Sequence, residues 1–236
     1  MKTFVIGDIH GAYQALLQCL KLSQFDRSRD RLICLGDVCD RNSHVKECID
    51  ELLSIPNCVF ILGNHDAWAL KWAIKGENPQ GWWEQGGAQT AMSYKDAGMP
   101  KKHIQLLKQA PYWYVDENRL FVHAGFDPEY SLAETPKEIF IWDRSFLQKA
   151  QQMNLISPEW KFGDYDEIFL GHSPTINFGK AEPQKFCNVW DMDTGAGWGA
   201  RLTIMDVDSK EYWQSDLVSN TFRLREGGGY AGIPNS

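Results

Sequence analysis

Three short apolar runs, KTFVIG (2–7), RLICLG (31–36) and NCVFILG (57–63), punctuate the first third of the chain. Each has the length of a strand and is apolar on both faces, as a strand covered on both sides requires. The intervening AYQALLQCLKL (12–22), HVKECIDELLSI (44–55) and DAWALKWAI (66–74) repeat apolar residues at three- and four-residue spacing, which predicts amphipathic helices. Strand and helix alternating at this rhythm predict right-handed βαβ units and a parallel sheet.

Past residue 80 the pattern loosens. QTAMSYKDAG (89–98) and KKHIQLLKQA (101–110) read as helices, the second ending before Pro111. YWYV (112–115) and RLFVHAG (119–125) read as strands around the turn DEN. From Asp127 to Tyr165 only RSFLQKAQQM (144–153) has a helical pattern. EIFLG, KFCNVW, RLTIMDV and EYWQSDL then predict four short strands, with DVDSKEY as the hairpin turn between the last two. The expectation is one α/β domain with mixed sheets over residues 1–225, and a mobile glycine-rich tail at 226–236.

Composition narrows the class without naming it. The 236 residues are 43% hydrophobic and 23% charged, ordinary for a globular domain with one sizeable core. A formal net charge of -7 argues against broad nucleic-acid or anionic-membrane binding, which needs a basic surface, yet leaves room for a small cationic pocket. Neither a signal peptide nor a membrane span is visible. The six cysteines are scattered within mostly apolar stretches and form no CxxC pair, so free thiols and a cytoplasmic location are expected. Oligomeric state leaves no mark on the sequence.

The chemistry sits where strands end. GDIHG (7–11), GDVCDR (36–41), GNHD (63–66), HAG (123–125) and GHS (171–173) each follow an apolar run. Ligands of open α/β sheets bind beyond the carboxyl ends of the strands, and glycine there permits a sharp turn and close backbone approach. The five ends would deliver Asp8, His10, Asp37, Asp40, Asn64, His65, His123 and His172 to one rim. A lone His or Asp at such a place is more often a turn former or helix cap. Four of six histidines converging beside carboxylates are better read as a transition-metal site. His44 and His103, on helical segments, are read as structural.

In that order the five blocks resemble the signatures of the calcineurin-like metallophosphoesterases, and among them the phosphoprotein phosphatases in their compact bacterial and phage form. DTGAGWGARLT (193–203) resembles a further segment of that group. The resemblance implies a βαββα sandwich, with two central sheets flanked by helices. It also implies two metal ions, most simply manganese with iron or zinc as alternatives. Asp8 and His10 would hold one ion, Asp37 would bridge, and Asn64, His123 and His172 would hold the other. A water activated between them would attack phosphorus directly. His65 corresponds to the general acid, oriented by Asp40, for which a helix cap is the plain alternative. Arg41 and Arg144 correspond to phosphate-binding arginines, with Asn64 beside them; Arg144 could instead simply start a surface helix. Asp193 is either a partner behind a metal-binding histidine or an Asx turn, and the turn is preferred.

Three features depart from or extend the family pattern. Asn42 stands where glycine usually follows the Asp-Arg pair, and asparagine tolerates a left-handed turn. Asp66 stands where many relatives carry glutamate. WWEQGG (82–87) resembles a loop segment of compact members and is placed near the site. The resemblance implies a phosphatase for phosphoserine or phosphothreonine in proteins. A symmetrical dinucleoside tetraphosphate hydrolase, carrying the same motifs on a small phosphoester substrate, is the alternative. A non-catalytic scaffold is a third reading, opposed by the complete set of candidate ligands.

Overall fold

The computed structural model of the chain describes residues 1–218. The expected tail, and the end of the expected domain at residue 225, lie outside the described residues. In chain order the elements are β1 (Thr3–Ile6), α1 (Tyr13–Leu22), β2 (Arg31–Cys34), α2 (Val45–Leu53), β3 (Cys58–Phe60) and α3 (Asn64–Lys75). There follow α4 (Gly87–Tyr94), α5 (Lys101–Gln109), β4 (Trp113–Asp116), β5 (Arg119–Val122), α6 (Lys137–Trp142) and α7 (Ser145–Ile156). The chain then runs through β6 (Glu167–Leu170), β7 (Gln184–Phe186), β8 (Val189–Asp191), β9 (Thr203–Asp206) and β10 (Tyr212–Gln214).

Two five-stranded mixed sheets result, ordered β10-β9-β1-β2-β3 and β4-β5-β6-β8-β7. The three strands foreseen as parallel pair in parallel, Phe4 opposite Leu32 and Leu32 opposite Cys58. β5, β6 and β8 form the matching parallel centre of the second sheet.

Side-chain alternation explains the sandwich. Phe4 and Ile6 of β1 and Leu32 and Cys34 of β2 join the buried side chains of α1 and α2, while Val5 and Ile33 point into a second layer. Leu120 and Val122 of β5 and Ile168 and Leu170 of β6 meet Phe146, Leu147 and Ala150 of α7. Their neighbours Phe121 and Phe169 join Val5 and Ile33 between the sheets and stack on each other, centroids 5.0 Å apart and planes 9° apart. Each of these four strands therefore buries both faces, which is why their runs read as nearly continuous apolar stretches.

Three expectations change. KFCNVW, read as one strand, is two: β7 and β8 form an antiparallel hairpin, Phe186 opposite Val189, across Cys187 and Asn188. The turn needs a left-handed residue, and Cys187 supplies it at φ 56° instead of a glycine, so no turn signal appears in the sequence. Asn188 ties the turn down, accepting the Phe162 N–H at 2.9 Å and donating to the Tyr165 carbonyl at 2.9 Å. Helix α6 lies within the stretch read as irregular; six residues are too few to show a period. Finally, α3 begins at Asn64, so Asn64 and His65 occupy its first turn and not a preceding loop.

The stacked phenyl pair between the sheets is a sensitive point. Phe121→Ala should lower the unfolding free energy by about 3–5 kcal/mol, measured by urea denaturation, as expected for a large buried ring removed without collapse of its surroundings.

Candidate metal centre

The parallel strands of both sheets end at one seam. β1 is followed by Asp8 and His10, β2 by Asp37, β5 by His123 and β6 by His172, while α3 brings Asn64 and His65. All seven residues are buried, with relative exposures of 5% or less. Packing this close requires missing side chains: a Cβ at Gly63 would collide with the Asp37 carboxylate, and one at Gly171 with that of Asp8. The His172 amide occupies the space so opened, 3.2 Å from both Asp8 carboxylate oxygens.

Asp37 is the centre of the array. His10 Nε2 lies 3.7 Å and His123 Nε2 3.4 Å from its Oδ2, and the His65 amide, in the first turn of α3, donates to Oδ1 at 3.0 Å. Two groups of potential ligand atoms, each contained within 4.8 Å, share this carboxylate: His10, Asp37 and His65, and Asp37, His123 and His172. Asp8 Oδ2 stands 4.0 Å from His10 Nε2, and Asn64 Oδ1 3.0 Å from His123 Nε2. The sequence-derived ligands are thus brought together. His65, assigned to acid catalysis, falls within the first group as well.

The hydrogen bonds fit a cation. His10 Nδ1 faces the Cys39 carbonyl at 2.7 Å and His123 Nδ1 the Leu35 carbonyl at 2.8 Å. Each Nδ1 must donate there, which leaves Nε2 as a lone pair directed at the carboxylates. His123 Nε2, Asn64 Oδ1 and Asp37 Oδ2 are then converging acceptors that only a proton or a cation can satisfy. His172 Nε2 is buried with no hydrogen-bond partner. Imidazole, carboxylate and amide oxygen are the donor chemistry of manganese, iron and zinc.

Electrostatics agree. Burial, with the positive charge of Arg41, holds His10 well below the ordinary imidazole range, and burial with His123 and Arg144 pushes His172 down to about 2. Both rings stay neutral and able to ligate. Burial would raise Asp37, but the imidazoles of His123, His65 and His10 outweigh it and hold the carboxyl well below its usual range. Burial lowers and Asp37 raises His123, with a net upward shift. Asp8 is pushed well up by burial and by the charges of Asp193 and Asp37. A divalent ion would relieve that crowding of negative charge.

Behind the centre, Asp40 is no helix cap. Its Oδ2 lies 2.6 Å from His65 Nδ1 and accepts from Trp82 Nε1 at 2.8 Å, while Oδ1 accepts from the Thr90 hydroxyl at 2.6 Å. The WWEQGG segment therefore does sit beside the site, and the Gly86 carbonyl also accepts the Arg41 amide at 3.2 Å. His65 Nε2 is left for other partners. His103 is structural, as expected, between Tyr94 and Asp50.

Arg41 and Arg144 both line a cavity of about 140 Å³ with Asp8, His10, Asp37, His65, His172, Asp193 and Trp198. The Arg41 guanidinium lies 3.9 Å over the Trp198 ring, and its buried Nε has no partner. Arg144 is exposed at the start of α7, as the plainer of its two sequence readings expects, and donates to the His172 carbonyl at 3.0 Å and the Ser173 hydroxyl at 3.1 Å, which keeps its side chain at the cavity. Asp193 makes the expected Asx turn, accepting the Gly195 amide at 3.0 Å, and also faces the cavity; burial pushes its carboxyl up to about 6.

Asn42 differs from expectation. The left-handed residues are Asp40 (φ 75°) and Arg41 (φ 68°), not Asn42. Asn42 instead donates its side-chain amide to the His10 carbonyl at 2.8 Å, a job for which glycine has no atoms.

Sequence reasoning missed what Asp66 does. At 0% exposure it accepts backbone N–H groups from Asp37 (2.7 Å), Val38, Cys39 and Gly63 (each 3.1 Å), clasping the loop after β2 to the start of α3. Its position at N3 of a helix was the one available signal. Thr90 and Trp82 were equally silent, because neither residue type announces a hydrogen bond made about 50 positions away.

The calcineurin-like phosphoesterase family model matches residues 1–196, and the chain belongs to that family. A symmetrical bis(5'-nucleosyl)-tetraphosphatase of Coxiella burnetii is 30% identical, aligned over 91% of this chain and 93% of that protein. Serine/threonine-protein phosphatase 1 of Salmonella typhimurium is 26% identical over 86% of this chain and 91% of its own. The chain spans about half the length of several other curated relatives, also symmetrical tetraphosphatases. Among solved structures, one of a putative diadenosine tetraphosphatase superposes with a TM-score of 0.68 at 18% identity, covering 90% of this chain and 92% of that one. The shared fold is the two-sheet sandwich described above.

Asp66→Ala should lower affinity for manganese about ten- to a hundredfold by titration calorimetry, since it removes the support under Asp37 without touching a candidate ligand.

Proposed function

We propose that the protein is a two-cation hydrolase of a small phosphoester substrate, foremost a dinucleoside tetraphosphate cleaved symmetrically. The observation that carries the reaction class is the single Asp37 carboxylate shared by two groups of buried ligand atoms. Asp8, His10 and Asp37 would hold one ion, and Asp37, Asn64, His123 and His172 the other, with manganese the first choice and iron or zinc alternatives. Two such ions supply a water of lowered pKa and a clamp on phosphate oxygens.

The chain's own residues do the rest. Arg41, steadied on Trp198 and lining the cavity, would offer its guanidinium to the phosphate oxygens, and Arg144 would approach from the His172 side. A guanidinium fork suits a tetrahedral oxyanion and offsets charge as the bond to the leaving group breaks. His65 donates the proton that the departing oxygen requires. Asp40, 2.6 Å from Nδ1, holds that side of the ring and so leaves Nε2 for the departing oxygen.

The Coxiella relative, aligned nearly end to end, supports the dinucleotide substrate and reverses the order of preference reached from the motifs alone. The Salmonella relative supports the second reading, phosphoserine or phosphothreonine in a protein. We place the activity in the cytoplasm, in keeping with six unpaired cysteines. Among the described residues no helix is long and apolar enough to cross a membrane.

Chelation with EDTA should abolish hydrolysis of diadenosine tetraphosphate, and added manganese should restore it. A phosphopeptide cleaved faster than the dinucleotide would reverse the substrate assignment. His65→Asn should cut turnover on a poor leaving group by roughly 10²–10⁴-fold while sparing p-nitrophenyl phosphate, whose leaving group needs little protonation. Equal losses on both substrates would remove the acid role from His65.

A further inference from the structure

Two tryptophans that no step above uses stand beside the candidate metal centre. Trp68, on α3, packs its half-buried ring edge-to-face on His65, with centroids 5.2 Å apart at 81°. Trp142 ends α6, one residue before the Asp143-Arg144 pair, and lies 6.4 Å from the His172 ring at 89°. The indoles meet each other at 4.8 Å and 62°. They form a continuous aromatic edge running from the proposed acid, His65, to the candidate ligand His172.

Trp142 is 40% exposed although its neighbours Phe140 and Ile141 are buried. A ring that packs against Trp68 and His172 and still keeps this much surface in water satisfies no demand of the core. Removing that exposed apolar surface from water is favourable for any flat partner that reaches it. Arg144, two residues on, lines the cavity of about 140 Å³, and so does His172, against whose ring Trp142 packs, so a group attached to a phosphate held there has the indole as a neighbour just outside the cavity wall.

The geometry points to Trp142, braced by Trp68, as a nucleobase-stacking platform beside the metal centre, so that the substrate is a nucleotide recognised by its base as well as its phosphates. This inference rests on the dinucleotide reading of the site and deepens it. Indole faces stack on all bases, so the platform accepts purine and pyrimidine alike and specifies a nucleotide rather than one base. The phosphate end is positioned by Arg41 and Arg144 and the base end by Trp142.

The test compares ligands with and without a base, using the manganese-loaded full chain. For Trp142→Ala, KM for diadenosine tetraphosphate should rise roughly five- to fiftyfold, and the affinity for ADP should fall by a similar factor in titration calorimetry. Affinity for pyrophosphate and kcat/KM for glycerol phosphate, neither of which carries a flat ring, should stay within about twofold, showing an intact site. Trp142→Phe should recover much of the loss, and Trp160→Ala, another exposed indole, should behave as wild type. Unchanged KM and ADP affinity in Trp142→Ala, or equal losses with pyrophosphate, would overturn the platform while leaving the dinucleotide reading standing. Should the wild type ignore dinucleoside tetraphosphates and cleave a phosphopeptide whose KM depends on Trp142, the reading itself fails and the indole is a peptide contact.

Discussion

A buried carboxylate that must stay ionised governs this structure. Asp37 is 2% exposed, and taking a carboxylate out of water without compensation costs several kcal/mol. Compensation comes from every direction: imidazoles from both sheets, and a backbone amide at the start of α3, where the helix dipole also favours negative charge. Beneath it, Asp66 gathers four amides and so fixes the loop on which Asp37 sits. The two acids form a stacked arrangement in which one positions the backbone and the other presents charge to the cavity.

Because ligands come from both sheets, the site depends on how the sheets pack. His123 and His172 are fixed to β5 and β6, whereas Asp8, His10 and Asp37 follow β1 and β2. The intersheet layer of Val5, Ile33, Phe121 and Phe169 lies one residue or a few from these ligands in sequence. Interior packing tolerates little change in volume, so the layer sets ligand separations as well as stability.

Legibility followed the range of the interactions involved. Strands buried on both faces are short apolar runs, and each signature block began with glycine or, in HAG, placed it two residues after the histidine, so the three parallel strands of the first sheet and every candidate ligand could be read directly. Five of these positions also had a known family to be compared with. KFCNVW was misread because its turn uses Cys187 rather than glycine, and α6 because one and a half turns show no period. Asp66, Trp82 and Thr90 act through bonds to backbone or carboxylate groups that only the folded chain brings near. The substrate was illegible for a chemical reason: cations and arginines of the kind proposed for this site treat an ester and an anhydride of phosphate alike.

His10, Asp37, Asp40, Arg41 and His172 all adopt left-handed backbone conformations, with φ between 47° and 75°. For residues other than glycine such geometry costs of order 1–3 kcal/mol at each position. Five of the eleven non-glycine residues with left-handed φ among the described residues thus lie at the candidate site, and the rest of the sandwich is the spring that keeps them wound. Glycine at Arg41 would relax that tension and forfeit the guanidinium, leaving a sturdier molecule without one of the two arginines proposed to hold a phosphate. Natural selection on such a chain holds it below the robustness its own fold could reach.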